Sequence, residues 1–387
     1  MHTLHRHIFF SVLLTCAAAT GLFAFVLLAA NAFKDLLGFA LTGQLPPGVI
    51  LGLLPLLLPY VLAYALPLGV LTGVLLVLGR MSAQQEITAM RAAGLGLGYV
   101  ARPVLLLGAL GSVLALKINY EIMPATRTAY RTTLANAIRH NPLGLIVPKT
   151  FVSKFPGYVF YVGEKNGNLL SDVWVERLDK NKRATELVHA LQGRVDYDEQ
   201  TNSLLLVLNG NVIGDRRNPA DPNTFSNTDY QVTGASAPPF PPLKLDTLLG
   251  PQTAFQTKPG FLSLDQLLAE RHRLAEPAPA AGGADAASAR KVERMKVEVA
   301  LHEKAASALT VLTFALFGVP LGIRVSRRET SANLVVAVAL ALGFFLMTES
   351  IHWLEKYPES RPDLLQWAPS SLFLLVGAWL FRRAGRV

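Results

Sequence analysis

Six apolar runs constrain this chain more than anything else in it, because a hydrocarbon core is crossed by about 20 consecutive helical residues. They are Ile8 to Phe33, Val49 to Leu78, Tyr99 to Met123, Ala305 to Ile323, Asn333 to Trp353 and Leu364 to Phe381. Composition agrees, with 51% hydrophobic residues, only 16% charged and a mean hydropathy of +0.35; soluble proteins keep about 25% charged residues. The expectation is an α-helical membrane protein with six transmembrane helices arranged 3+3. Ala30-Asn31-Ala32 has the small-x-small form of a signal-peptide cleavage site, but signal h-regions run about 7–15 residues. The first run is therefore read as a retained helix. Pro55, Pro59 and Pro67 predict a bent second helix, tolerable where neighbours re-satisfy the freed carbonyls.

Between the third and fourth runs no segment is long enough to span. Thr126 to His140 reads as a polar helix extending the third span. Beyond it come short alternating segments, Thr150 to Phe155, Tyr158 to Glu164, Asp172 to Leu178, Thr185 to Leu191 and Leu204 to Val212. The turn-rich pieces Phe155-Pro156-Gly157, Lys165-Asn166-Gly167 and Asp179-Lys180-Asn181 separate them, the pattern of an inserted all-β sandwich or barrel-like domain. Phe151, Val159, Tyr161, Val173, Val175, Leu204 and Leu206 are its candidate interior. Ala235 to Leu243 is proline-rich and ends the domain, Leu262 to Leu274 reads as an amphipathic helix capped by Ser263, and Glu276 to Ser288 reads as a linker. Arg290 to Lys304 is a charged helix leading into the fourth span. The expected domains are residues 1–123 with a short helix at 82–94, residues 124–260 as the β-domain, residues 261–304 as helix and Ala/Pro-rich linker, and residues 305–387 as the last three spans.

That short helix lies in Gly79 to Gly98, a charged insert between two very apolar runs. Ser82 and Gln85 have capping-box spacing, and Gly94 is placed to end the helix. About three turns are too few for stability alone in water, so something must hold them. Charge locates the insert. Six spans bring both termini to one side, which carries ten positive residues, Arg6, Arg80, Arg91, Arg102, Arg324, Arg327, Arg328, Arg382, Arg383 and Arg386. The short loops opposite carry three, Lys34, Lys356 and Arg361. The positive-inside rule then places the insert in the cytoplasm and the β-domain outside. It also accounts for the net charge of +9 without nucleic acid.

Catalytic signatures are weak. There is no G-x-x-x-x-G-K-[ST] phosphate loop, and Gly94-x-Gly96-x-Gly98 follows no strand. His302-Glu303 lacks the second histidine of a zinc motif, since position 306 is Ala306, and the lone Cys16 permits neither an intrachain disulfide nor a Cys-rich metal site. No cofactor, metal or catalytic residue is expected. Glu349 and His352 form a single E-x-x-H pair, and Glu349 is kept as an intramembrane candidate. Lys117 and Glu121 are spaced to pair on one helix face.

Gly79-Arg80-Met81-Ser82, Glu86-Ile87-Thr88-Ala89-Met90-Arg91-Ala92-Ala93-Gly94 and Phe317-Gly318-Val319-Pro320-Leu321-Gly322, set in three spans, a β-domain and three spans, resemble the lipopolysaccharide export permease family, LptF/LptG (YjgP/YjgQ). The resemblance covers essentially the whole chain. It implies an inner-membrane, multi-pass permease subunit of an ABC exporter, itself non-catalytic. A second LptF/LptG-like permease and a cytoplasmic ABC ATPase dimer would be its partners. Lipopolysaccharide or a related glycolipid would pass through a periplasmic, jellyroll-like β-domain to LptC/LptA-like jellyroll proteins, reached by strand addition at the sheet edge. The short helix would be the coupling helix, with Arg80, Ser82, Glu86, Ile87, Met90 and Arg91 carrying the ATPase contact. In it, Glu86 pairs with a basic residue of the ATPase, and Ile87 and Met90 are apolar anchors. An anionic amphiphile needs cations at headgroup depth, and Lys34, Lys117 and Lys304, with Glu349, are the candidate path; each lysine has the alternative of snorkelling to the interface. A membrane-embedded lipid-modifying enzyme using Glu349, His352 and His302, or a membrane scaffold with an external β-domain, are the alternatives. If Lys34 lies on the path, Lys34→Glu should abolish photocrosslinking of the glycolipid at the outer end of the first helix; an unchanged crosslink removes it.

Overall fold

The structure is a computed structural model that describes residues 2–41, 45–140, 144, 146–153, 157–179, 183–198, 203–217, 225–232, 243–244, 259–275, 284–325, 330–353 and 360–385. Its chain divides into two compact units, residues 1–32, 54–129 and 258–387, and residues 33–53 and 130–257. The helices in order are α1 (His2–Asp35), α2 (Leu37–Leu41), α3 (Pro47–Ala83), α4 (Glu86–Ala92), α5 (Leu97–Lys117), α6 (Met123–His140), α7 (Leu264–Ala275), α8 (Ala284–Val325), α9 (Thr330–His352), α10 (Pro362–Leu365) and α11 (Ala368–Gly385). A π-helical turn, Ile118–Ile122, joins α5 to α6.

Among the described residues five stretches are long and apolar enough to cross a membrane: Thr3–Ala32, Pro47–Ala83, Leu97–Arg139, Arg290–Ile323 and Pro362–Ala384. Helix α9 adds a shorter apolar stretch, Val335–Ile351. This is a membrane protein carrying an inserted β-domain. Helix α3 is continuous through Pro55, Pro59 and Pro67. The expected charged helix and fourth span are one helix, α8, of 42 residues. At about 63 Å it is roughly twice the thickness of a hydrocarbon core. Its first half therefore packs on protein instead: Val297 and Ala300 bury against Leu262, Leu267 and Leu274 of the α7 segment, and Arg271 pairs with Glu298 at 2.8 Å. Of the expected linker, residues 276–283 lie outside the described residues and the remainder opens α8. Helix α7 starts as the sequence predicts. The Ser263 amide donates to Gln266 Oε1 at 3.0 Å and the Gln266 amide to Ser263 Oγ at 3.4 Å, a complete capping box.

Small residues set how closely the membrane helices approach, since lipid-bathed helices associate through packing rather than hydrophobic expulsion. A Cβ at Gly69 would lie 2.0 Å from Thr20 Oγ1, and one at Gly73 would lie 2.5 Å from Cys16 Sγ, so α3 meets α1 nearly backbone to backbone. Four residues apart in α8, Gly318 faces Val74 and Gly322 faces Leu78, with a Cβ at 2.9 Å and 3.0 Å from those side chains. Around these contacts lies the main core, with Ile8 and Val12 of α1, Val70, Val74 and Leu78 of α3, Val100 and Val104 of α5, and Val311 and Val319 of α8. A second cluster joins Leu71 and Leu75 to Phe314, Ala337 and Phe344, bringing in α9.

The other unit holds a seven-stranded antiparallel sheet: β1 (Phe151–Val152), β2 (Tyr158–Asn166), β3 (Leu169–Leu178), β4 (Ala184–Asp198), β5 (Ser203–Arg217), β6 (Phe225–Val232) and β7 (Leu243–Lys244). The first six pair in chain order, and β7 pairs with the start of β5. Val173, Val175, Leu204 and Leu206 are buried as expected. In β2 the inward residues are Phe160 and Val162, not Val159 and Tyr161, and Phe151 is 72% exposed. Register explains the difference: Phe160 pairs with Val175 and Val162 with Val173, so the inward face of β3 selects them, and a one-residue slip exchanges the faces. At Gly163 the ladder creases, because Asp172 opposite has φ of 54° and sits 2.9 Å from where a Gly163 Cβ would lie. Nearby, burial holds the Lys165 ammonium below the usual lysine range while it donates to the Ile146 carbonyl at 3.2 Å. Of the expected turn and proline-rich pieces, residues 154–156, 180–182 and 233–242 lie outside the described residues.

Because the Gly69 contact is with backbone, Gly69→Ala should cost about 1–3 kcal/mol of overpacking. Gly52→Ala, whose Cβ would meet nothing within 4 Å, should cost nothing; thermal unfolding of the two variants in detergent compares them.

Candidate functional site

Two places on the helical unit gather the residues singled out in the sequence. The first is the end where α3 passes into α4. Helix α3 runs to Ala83, so Ser82 lies inside it, and the short helix is Glu86–Ala92 rather than 82–94. The Ser82–Gln85 capping box does not form. Gln85 turns the chain with φ of 61°, and the Ser82 hydroxyl donates instead to the Ile323 carbonyl at 2.9 Å, near the end of α8. A preceding helix that is still wound at Ser82 cannot also offer it as a cap.

The other end is as the sequence predicts. Gly94 has φ of +80°, its amide donates to Arg91 O and the Leu95 amide to Met90 O, each at 3.0 Å. This is a Schellman motif, completed by burial of Met90 and Leu95 in one cluster.

What holds the short helix is now visible. Ile87 and Met90 are buried in the chain's own core beside Met81 and Leu97, so they anchor the helix to this bundle. Arg91 Nη2 donates to the Ala384 carbonyl at 3.4 Å at the end of α11, where a helix presents partial negative charge. His5 of α1 stacks on Tyr99 at 3.8 Å. The small helix is thus tied to α8 and α11, and its neighbour α5 to α1. Its outward face carries Glu86, Thr88, Ala89 and Ala93, and Arg80 is exposed beside it. Glu86 has no ion-pair partner among the described residues.

The second place is a cavity of about 580 Å³ toward the other end of the bundle, within the size range of ligand sites. One wall is apolar, with Leu342, Phe345 and Leu346 of α9. Its polar lining comes from Tyr60 and Tyr64 of α3, Asn119 of the π-turn, Arg127 of α6, Glu303, Lys304, Ser307 and Thr310 of α8, Thr348 and Glu349 of α9, and Gln366 and Ser370 near the start of α11. Lys304 is 5% exposed and donates from Nζ to the Leu262 carbonyl at 2.6 Å. Its own carbonyl accepts from Asn119 Nδ2 at 3.2 Å, while Tyr120 donates to Leu301 O at 2.7 Å. The π-turn turns both Asn119 and Tyr120 toward α8, a use of such bulges that recurs at functional sites. Asn119 Oδ1 and Gln366 Nε2 are buried without a partner among the described residues, which leaves this lining able to bind further polar groups.

Lys304 of α8 and Glu349 of α9 therefore line the same cavity. Lys117 is exposed and does not line it. It forms no ion pair with Glu121 among the described residues, because the π-turn beginning at Ile118 breaks the i,i+4 alignment. The side chains of Lys34 and His352 lie outside the described residues, as do residues 327–329 and 354–359. His302 accepts at Nδ1 from the Trp367 indole at 3.1 Å, and the described residues include no cluster of three metal-ligating groups.

Arg127, Tyr60 and Phe261 were not singled out in the sequence. The guanidinium lies 4.8 Å from the Tyr60 ring and 4.0 Å from the Phe261 ring. Its one sequence signal was a cation less than two turns into the polar helix that continues the third span.

Gly94→Ala should cost about 1–2 kcal/mol for forcing a Cβ into the left-handed region, read as lower thermal stability with the α4 segment more open to hydrogen exchange.

A family model described as lipopolysaccharide export system permease LptF/LptG matches residues 6–383. Comparison with curated proteins finds no match.

Proposed function

Because the chain belongs to the lipopolysaccharide export system permease LptF/LptG family, a family of transport permeases, we propose that it is the permease subunit of an ABC-type exporter whose ATP hydrolysis resides in a separate cytoplasmic ATPase dimer. The observation that carries this is the mounting of α4. A seven-residue helix with its apolar face spent on Ile87 and Met90, tied through Arg91 to α11 and flanked by the Ser82 bond to α8, is suited to pass a push to the bundle. Its outer face is flat and small, with one carboxylate at the helix start, and fits a groove with a basic residue. Ser82, Ile87 and Met90 then work from within as the mount, and the exposed Arg91 ties it to the end of α11. Glu86 and Arg80 are left to touch the partner.

The ten arginines that the order of apolar runs assigns to the side of the α4 insert and both termini support a cytoplasmic placement of that side and a periplasmic β-domain. The substrate is lipopolysaccharide or a related phosphorylated glycolipid. Exposed apolar residues on α1, such as Leu14, Leu22 and Phe25, and on α5, such as Leu106, Leu110 and Val113, suit lipid or a second permease subunit. The cavity supplies the cations Arg127 and Lys304, with the carboxylates Glu303 and Glu349 in the same lining, beside an apolar wall that suits an amphiphile. Glycolipid then leaves through the β-domain toward jellyroll partners of the LptC/LptA kind.

Charge reversal at a paired interfacial group costs about 2 kcal/mol or more, roughly thirtyfold in affinity. Glu86→Lys should therefore lose most co-purified ATPase and stop glycolipid release from spheroplasts, while membrane insertion is unchanged. Undiminished recovery of the ATPase complex, or lipid-modifying activity from the isolated chain, overturns the reading.

A further inference from the structure

The two cations of the cavity wall are held by one short piece of chain. Arg127 lies against the Phe261 ring, and Lys304 Nζ is bonded to the carbonyl of the next residue, Leu262. Both belong to the turn Pro259–Phe261 and the residue after it, and Gly260 and Phe261 form part of the cavity wall. Neither cation makes an ion pair among the described residues. Their direct partners are a neutral carbonyl and aromatic faces, the Tyr120 ring standing 5.8 Å from Lys304 Nζ, and the carboxylates of Glu303 and Glu349 line the same cavity without an ion pair to either cation among the described residues.

Such partners are second best. A charge-assisted bond to an anion is about twice as strong as one to a neutral acceptor, and a buried ammonium gains most from a true counter-ion. A phosphate entering the cavity offers both cations more than the turn does. For the turn, leaving costs mainly the burial of the Leu262 side chain against Leu267, Leu274, Val297 and Ala300, a cost the two charge-assisted bonds gained must exceed. The Ser263–Gln266 capping box secures the α7 start independently, and Leu267 and Leu274 keep α7 on α8, so residues 259–262 are able to swing without unwinding the helix.

We propose that residues 259–262 are a strap that occupies the anion position of the cavity when no ligand is bound, and that a phosphate-bearing amphiphile displaces it by taking Lys304 from the Leu262 carbonyl and Arg127 from the Phe261 ring. The proposal rests on the permease reading and adds its regulation. The strap is self-competition: ligand binds at an apparent affinity lowered by the fraction of molecules whose strap is closed. The same chain segment is the covalent link by which the polypeptide returns from the unit ending at Thr257.

The full chain in nanodiscs tests this with Leu262→Cys, which keeps the backbone carbonyl and places a thiol where 7% of the residue is exposed. The native Cys16 is buried, and the unsubstituted protein is the blank. The probe is a bisphosphorylated, N-acylated glucosamine disaccharide, with its phosphate-free analogue as control. Maleimide labelling at position 262 should rise about tenfold with the phosphorylated lipid, as for a local opening, and stay unchanged with the analogue. In the same discs Phe261→Ala should tighten binding of the phosphorylated lipid about tenfold, the scale of one desolvated cation–π contact. Equal labelling with lipid measurably bound overturns the strap and leaves the permease reading standing. Failure of the phosphorylated lipid to bind at all overturns both.

Discussion

Helices α3 and α8 approach each other closely at Gly318 and Gly322, where a Cβ would lie 2.9 and 3.0 Å from the side chains of Val74 and Leu78, and the helical unit is built outward from that contact. In hydrocarbon there is no water to expel, so association rests on dispersion between surfaces that truly touch. Two glycines four residues apart provide a groove for Val74 and Leu78. A matching pair in α3, Gly69 and Gly73, seats α1. The motif Phe317-Gly318-Val319-Pro320-Leu321-Gly322 thereby acquires a physical meaning: it is a packing surface.

At one end of that assembly the same core reaches just far enough to capture α4. Ile87 and Met90 share a cluster with Met81, Val77 and Val319, so a helix too short to exist alone is stabilised by burial of one side. What remains outside is a surface of small residues with a carboxylate. The tie from Arg91 to α11, and the Ser82 bond to α8 beside it, make the mount stiff. Any load on α4 is therefore carried by the core itself.

At the other end the bundle leaves a cavity, and there charge rather than packing dominates. Lys304 at 5% exposure and half-buried Arg127 are costly to place without counter-ions. Chain geometry answers with a carbonyl and a phenyl ring from consecutive residues.

The placement of the apolar runs, the polar extension of the third span, the capping box of α7 and the glycine that ends α4 were all legible in the sequence. Each depends on neighbours within a few residues or on bulk hydropathy. The inward face of β2 was not legible, because alternation says which residues share a face and only pairing with Val173 and Val175 says which face is in. Ser82 was misread as a cap, because whether α3 stops before it depends on α8 offering the Ile323 carbonyl. The Lys117–Glu121 spacing failed on a π-turn that exists to turn Asn119 and Tyr120 toward α8. Arg127, Tyr60 and Phe261 stand far apart in the chain, and no local pattern joins them. The sequence by itself determined that this chain crosses a membrane, where its β-domain is inserted and which stretch forms the short helix. Tertiary structure alone decided which side of that helix faces outward and which cations share a cavity, because both depend on contacts between segments tens to hundreds of residues apart.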